Sequence, residues 1–153
     1  MASVIVDIAD ELVTYINAGS YTTTGWTAAR RWLAYFDRES LGDDPRVTVI
    51  ASDDEPTVVT RKADGGSAKV NHRMTVEVYV QGPADYGTTS TVDPFVELTD
   101  EIYTRVTSMP PISAISVQPS SIGPQFDPYI EFEHLFRLRM FTSRTLVVFE
   151  AVN

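Results

Sequence analysis

With 153 residues, 43% of them hydrophobic and 22% charged, the chain has the composition of a folded domain and the length for one sizeable core. Its 12 basic and 21 acidic residues leave a formal charge of −9, which argues against tight binding along a nucleic-acid backbone, because such binding is driven by Lys and Arg displacing condensed counterions. The absence of cysteine excludes disulfides, thiolate zinc sites and cysteine nucleophiles.

The opening Met1-Ala2-Ser3-Val4-Ile5-Val6-Asp7 carries no basic n-region. Charges also interrupt every apolar run well before the roughly twenty residues a membrane helix needs. A soluble, unexported protein without membrane contact is expected. Val4, Ile5, Ile8, Ala9, Leu12, Val13 and Ile16 recur at three and four residues and predict a helix with one apolar stripe. Asp7, Asp10, Glu11 and Thr14 take its wet side. Ser3 has the chemistry of an N-cap, and Gly19 that of a terminator.

From Trp26 to Phe36 two periods compete. A strand aligns Trp26, Ala28, Arg30, Trp32, Ala34 and Phe36, whereas a helix aligns Ala29, Trp32, Leu33 and Phe36. Asp37 to Pro45 is a connector, punctuated by Gly42 and Pro45. Two β-rich runs follow, Arg46–Ala51 and His72–Gln81, dense in branched and aromatic residues. In the second, Met74, Val76, Val78 and Val80 fall on one face and Arg73, Thr75, Glu77, Tyr79 and Gln81 on the other, the alternation of an antiparallel strand buried on one side. The residues between the runs bury little, so the expected unit is a long β-hairpin whose arm, residues 53–71, projects beyond its sheet. Within it Ser52–Pro56 and Asp64–Ser67 read as turns.

Gly82–Gly87 ends the second strand, and Asp93-Pro94 reads as an N-cap followed by proline in the first helical position. Phe95, Leu98 or Thr99, Ile102, Tyr103 and Val106 continue at helical spacing until Met109-Pro110-Pro111. Ile112–Gln118 reads as a short strand, Pro119–Pro124 as a loop, Asp127-Pro128 as the start of a short helix through Glu133, and Leu135–Glu150 as a long strand with apolar groups on both faces. The expected fold is α+β: a mainly antiparallel sheet with two principal helices packed on one face, and a projecting hairpin, in one domain over 1–153.

The chemistry-bearing residues form no catalytic, cofactor or metal pattern. His72 and His134 lie in no HExxH sequence and beside no GxSxG elbow. Asp43-Asp44 and Asp53-Asp54-Glu55 lack the alternating spacing of a calcium loop, and Gly65-Gly66 belongs to no phosphate-cradling motif. No enzyme activity and no cofactor are expected. Arg61, Lys62, Lys69 and Arg73 instead place positive charge on the arm of an acidic chain, where it complements Asp7, Asp10 and Glu11 of a neighbouring copy. Those residues are the candidate subunit interface.

Ala29-Arg30-Arg31-Trp32, Arg46-Val47-Thr48-Val49-Ile50, the polar excursion reaching Thr60-Arg61, Met74 to Gln81, and the closing Phe141 to Val148 together resemble the tail terminator and tail-completion (neck) proteins of long-tailed bacteriophages. The resemblance implies a small α+β subunit of a homo-hexameric ring that caps the tail tube, ends its polymerisation and docks the tail to the head connector. It implies as partners the tail tube protein and a head connector or stopper protein, with DNA passing through the channel without specific binding. The corresponding place is the virion neck, and the host cytoplasm during assembly. It also favours a strand for Trp26–Phe36. A head-completion or stopper protein is the alternative within this class, and a small ligand-binding domain the alternative outside it.

Overall fold

The computed structural model describes residues 4–60, 69–112, 117–124 and 130–151. Its elements follow in the order α1 (Val4–Asn17), β1 (Ala28–Arg30), α2 (Arg38–Leu41), β2 (Arg46–Thr60), β3 (Lys69–Pro83), α3 (Thr89–Thr107), β4 (Val117–Pro124), α4 (Phe132–Arg137) and β5 (Met140–Ala151). The strands make one five-stranded sheet in the order β1-β2-β3-β5-β4. Every neighbouring pair is antiparallel except β1 with β2. The fold is α+β, as the element pattern predicts.

The alternation in β3 decides which side of the sheet is the core. Met74, Val76, Val78 and Val80 are buried with Val47 and Val49 of β2 and Phe141, Val147 and Phe149 of β5, and the register sets Met74 opposite Phe149, Val76 opposite Val147 and Val78 opposite Thr145. Onto this front face α1 lays Ile8, Ala9, Leu12 and Ile16, and α3 lays Phe95, Leu98, Ile102 and Val106. Burying one such side chain stabilises the fold by about 1.5–3 kcal/mol, so the sheet and the two long helices hold each other. Val4, at the free end of the α1 stripe, is exposed instead.

Two side-chain amides each pair with both polar groups of one backbone residue. Asn17, at the end of α1, accepts from the Ala28 N–H at 2.8 Å and donates to the Ala28 carbonyl at 3.0 Å. It thereby occupies the outer edge of β1 as a further peptide would. Gln81, fully buried, does the same on the back face: its Oε1 accepts from the Tyr35 N–H and its Nε2 donates to the Tyr35 carbonyl. That pairing explains why Trp26–Phe36 is neither the long strand nor the helix. Only Ala28–Arg30 pairs with β2, after which the chain turns across the back face to meet Gln81.

Arg105 of α3 donates from Nε and Nη2 to the Tyr15 carbonyl, and the Tyr21 hydroxyl donates to the Ile16 carbonyl, so α1's last turn, which has no basic residue of its own, is capped from outside. Gly19 stands where these groups converge. A Cβ there would lie 2.7 Å from the Tyr21 hydroxyl and 2.8 Å from Arg105 Nε. Ser3, the expected N-cap, lies outside the described residues.

Five boundaries differ from the sequence expectations. The expected turn at Ser52–Pro56 is part of β2, which bulges between Ala51 and Asp53 and runs on to Thr60, while the expected turn at Asp64–Ser67 lies outside the described residues. Helix α3 begins at Thr89 rather than after Asp93, with Pro94 inside it. Asp85 and Thr91 cause this: Thr91 Oγ1 accepts from the Asp85 N–H and donates back to the Thr88 carbonyl, and the Thr91 N–H closes onto the same carbonyl. The segment 119–124, expected as a loop, is most of β4, because an outermost strand tolerates Pro119 and Pro124 where a central one would not. Of the expected strand over 112–118, Val117 and Gln118 open β4 and Ile112 bridges to Val117, while residues 113–116 lie outside the described set. The last helix spans Phe132–Arg137 with Glu131 as its N-cap and runs past Glu133, so the final strand starts at Met140 and not at Leu135, while the expected helix start at Asp127-Pro128 lies outside the described residues. Arg139, in the left-handed region at φ 51, makes the turn between them.

Candidate interaction surfaces

Backbone register shows how the arm stands out from the sheet. Strands β2 and β3 stay paired to Thr60 opposite Lys69, with a bulge at Ala51/Asp53. Among the described residues, however, none of β5 pairs with β3 beyond Arg73 opposite Glu150, and β1 leaves β2 at Val49. The last four or so residues of each strand therefore pair, among the described residues, with each other alone, a projection of about 15 Å at a strand's rise per residue. The outer edge of β2 passes through Asp53-Asp54-Glu55-Pro56, charges and a proline of the kind that discourage indiscriminate strand pairing.

Of the residues expected at a subunit interface, Arg61 and Lys62 lie outside the described residues. Lys69 sits at the last described pair of the hairpin, and Arg73 is exposed, set by register between Glu55 and Glu150. On α1, Asp7 is half-buried, and Asp10 and Glu11 are exposed. Asp10 already has a partner within its own chain, since Arg30 Nε donates to its Oδ1 at 2.7 Å. With both side chains partly exposed, that ion pair contributes at most about 1 kcal/mol.

Three further surfaces were not anticipated as sites. The first follows β1, where Trp32, Leu33 and Phe36 are 68%, 64% and 66% exposed although their neighbours are fixed. The Arg31 guanidinium stacks 3.9 Å from the Tyr35 ring centre, Arg46 approaches the same ring, and Arg30 lies over Trp32 at 5.3 Å. Arg31 Nη1 is inaccessible to solvent and has no hydrogen-bond partner among the described residues. Behind this segment, Asp37 caps α2 by accepting from the Ser40 N–H at 2.7 Å, which holds its carboxyl below the usual value of 3.8. Arg38 donates to the Gly42 carbonyl and to Asp43.

The second surface gathers Tyr86, Phe132 and Phe136 at the end of the sheet away from the arm. Phe136 stacks on Phe132 and meets Tyr86 edge-on at 5.1 Å. The third is an open groove of about 700 Å³ along the outer side of α3, between that helix and Ser20-Tyr21. Asp93, Glu97, Asp100 and Glu101 line it with Val96, and Arg105 closes one end. Burial pushes the Tyr21 phenol above its ordinary value, opposed by the nearby Arg105, and Glu101 accepts from the Thr22 N–H.

On the back face, Arg144 bridges Glu77 and the Tyr79 hydroxyl at 3.3 and 3.0 Å, and burial raises the Tyr79 phenol. His134 Nδ1 and Gln81 Nε2 both reach Thr142 Oγ1, tying α4 and the 31–36 segment to one point of β5. Hydrogen-bonding capacity is thus spent on holding segments in place. No group of three or more His, Asp or Glu among the described residues is arranged to hold a metal ion, and no described helix is long and apolar enough to cross a membrane.

The unforeseen apolar sites had one signal in the sequence: between Trp26 and Phe36 no single period collects the large apolar residues onto one face. No protein-family model matches this chain, and no curated protein matches it.

Proposed function

We propose that this chain is a structural subunit of a ring at the head-tail joint of a long-tailed bacteriophage, which caps the tail tube, ends its growth and docks the tail to the head connector. The projecting hairpin is the observation that carries this reading. A pair of strands that extends about 15 Å beyond its own sheet has the reach to engage a neighbour. Arg73 at the foot of the arm and the acidic face of α1 supply opposite charges for such a contact, with Arg61, Lys62 and Lys69 adding to it from the sequence. A contact between dissimilar surfaces closes into a ring when its rotation divides the circle. At a net charge of −9 the channel wall of such a ring is acidic, which lets DNA pass without adhering.

The test combines the solution mass of the purified protein, alone and with tail tubes, with electron micrographs of the largest species. Rings, formed alone or on tube ends, are the expected result. Deletion of residues 57–69 should abolish them while the circular dichroism of the remaining domain is kept. A chain that stays monomeric and ignores tail tubes, a deletion variant that still forms rings, or a ring with a basic lumen each contradicts part of the reading.

A further inference from the structure

The segment after β1 departs from the economy of the rest of the molecule. Trp32, Leu33 and Phe36 are each about two-thirds exposed, yet the backbone beneath them is held by the buried Gln81 amide and by stacked guanidinium groups. Fixed apolar side chains in water lose the entropy of a free loop and gain no burial in return. They are arranged for a partner surface, and Trp beside Arg is the composition in which binding energy concentrates.

We infer that this Trp32/Leu33/Phe36 patch docks into the α3 groove of a second copy of the same chain. Charge complementarity selects the occupant. Within 30–36 the only charged residues are Arg30 and Arg31, so the patch carries only positive charge, Arg30 also pairing with Asp10 of its own chain. The groove presents the apolar Val96 between the carboxylates of Asp93, Glu97, Asp100 and Glu101. Its volume of about 700 Å³ is on the scale of clefts that take a few large side chains.

Position on the subunit points the same way. Gln81 holds the 31–36 segment on the back of the sheet, whereas α3 packs on the front, so one copy cannot satisfy its own patch. Two dissimilar surfaces on opposite faces make a head-to-tail contact, the kind that propagates around a ring rather than ending at a two-fold dimer. The inference rests on the ring reading above and adds a second contact to that of the arm.

A mixing experiment tests it. One variant loses the patch (Trp32→Ser with Leu33→Ser) and another reverses the groove (Asp93→Lys with Glu97→Lys), all at exposed or surface positions. Mass photometry follows each across a concentration series. The wild type assembles, and each variant needs at least about tenfold more protein to do so, as expected for loss of a contact with an aromatic centre. At concentrations where each variant alone stays monomeric, an equimolar mixture of the two pairs one intact patch with one intact groove and yields a two-chain species. Circular dichroism and thermal melts establish that the variants fold, and the milder Phe36→Ser and Glu97→Ala replace any that do not.

A variant that assembles like the wild type, or a mixture that stays monomeric, overturns the inference and leaves the ring reading standing. A wild-type chain that is monomeric at every concentration and with tail tubes present overturns both.

Discussion

Gly82→Ala is the smallest change that interrogates the joint between α3 and the sheet. Gly82 lies near the end of β3 opposite Phe141, and a Cβ built on it would sit 2.1 Å from two atoms of the Phe95 ring. Ordinary contact requires about 3.5 Å, so the ring must move by more than 1 Å. It has nowhere to go cheaply: Phe95 is 7% exposed and stacks at 5.7 Å on Phe141, which is fully buried. Overpacking of this kind costs about 1–3 kcal/mol, and the rigid neighbour places Gly82→Ala at the upper end. For a chain of this size each kcal/mol lowers Tm by about 2–4 °C, so a fall of roughly 5–10 °C is expected in thermal unfolding followed by circular dichroism. Phe95→Leu removes the colliding ring atoms, and the double variant should be at least about 1 kcal/mol more stable than the two single effects predict. A loss below about 0.5 kcal/mol for Gly82→Ala, or strict additivity in the double variant, would refute the close approach.

Two further outcomes are expected. Thr99 Oγ1 donates to the Phe95 carbonyl, so in the buried 2.8 Å contact between Thr99 and Ser143 the serine is the donor. Thr99→Val strands that donor and should cost about 1–3 kcal/mol in urea unfolding, most of it recovered by adding Ser143→Ala; an uncorrected double variant would contradict the assignment. Asp37 is held below its ordinary value of 3.8 by the Ser40 N–H, so the stabilisation from its charge is present above that value and is lost as the pH falls through the lower folded one. The stability difference between wild type and Asp37→Asn should accordingly shrink on acidification below about pH 4 and weaken with salt; a difference that widens in acid would reverse the sign of the argument.

The legible parts of this fold were those in which one period ran unopposed. The α1 stripe and the alternation of β3 each name their buried face, and the four large residues of β3 lie where that alternation places them. Boundaries set by tertiary partners were not legible. Asp93-Pro94 has the local chemistry of a helix start, but the hydrogen bonds of Asp85 and Thr91 draw the helix back to Thr89. Pro119 and Pro124 look like loop residues until β4 is seen to be outermost, where a missing N–H can face away from the ladder. The helix over 132–137 lay across the expected border between a helix ending at Glu133 and a strand from Leu135, because six residues of mixed character, Phe132 to Arg137, are too short to show a period.

Among the interface candidates, the arm was readable from the length of polar chain between two strands. The patch at Trp32, Leu33 and Phe36 was not, since its exposure results from Gln81, 46 residues beyond Tyr35, claiming the backbone there. Competing periods recorded the conflict without revealing which surface would go uncovered.

The strand order also bears on when the fold can form during synthesis. β5 is the last of these five strands to be made, yet it lies between β3 and β4 and carries Phe141 and Phe149, both fully buried. Until residues 140–151 have left the ribosome, β4 has no neighbour to pair with, and the front face lacks the aromatic filling on which Phe95 rests. The β2–β3 hairpin, closed over a short connection, pays little loop entropy and can form long before. A nascent chain therefore carries its protruding arm well ahead of the body that supports it, and commitment to the native sheet comes at one late step, when a central strand slots into place.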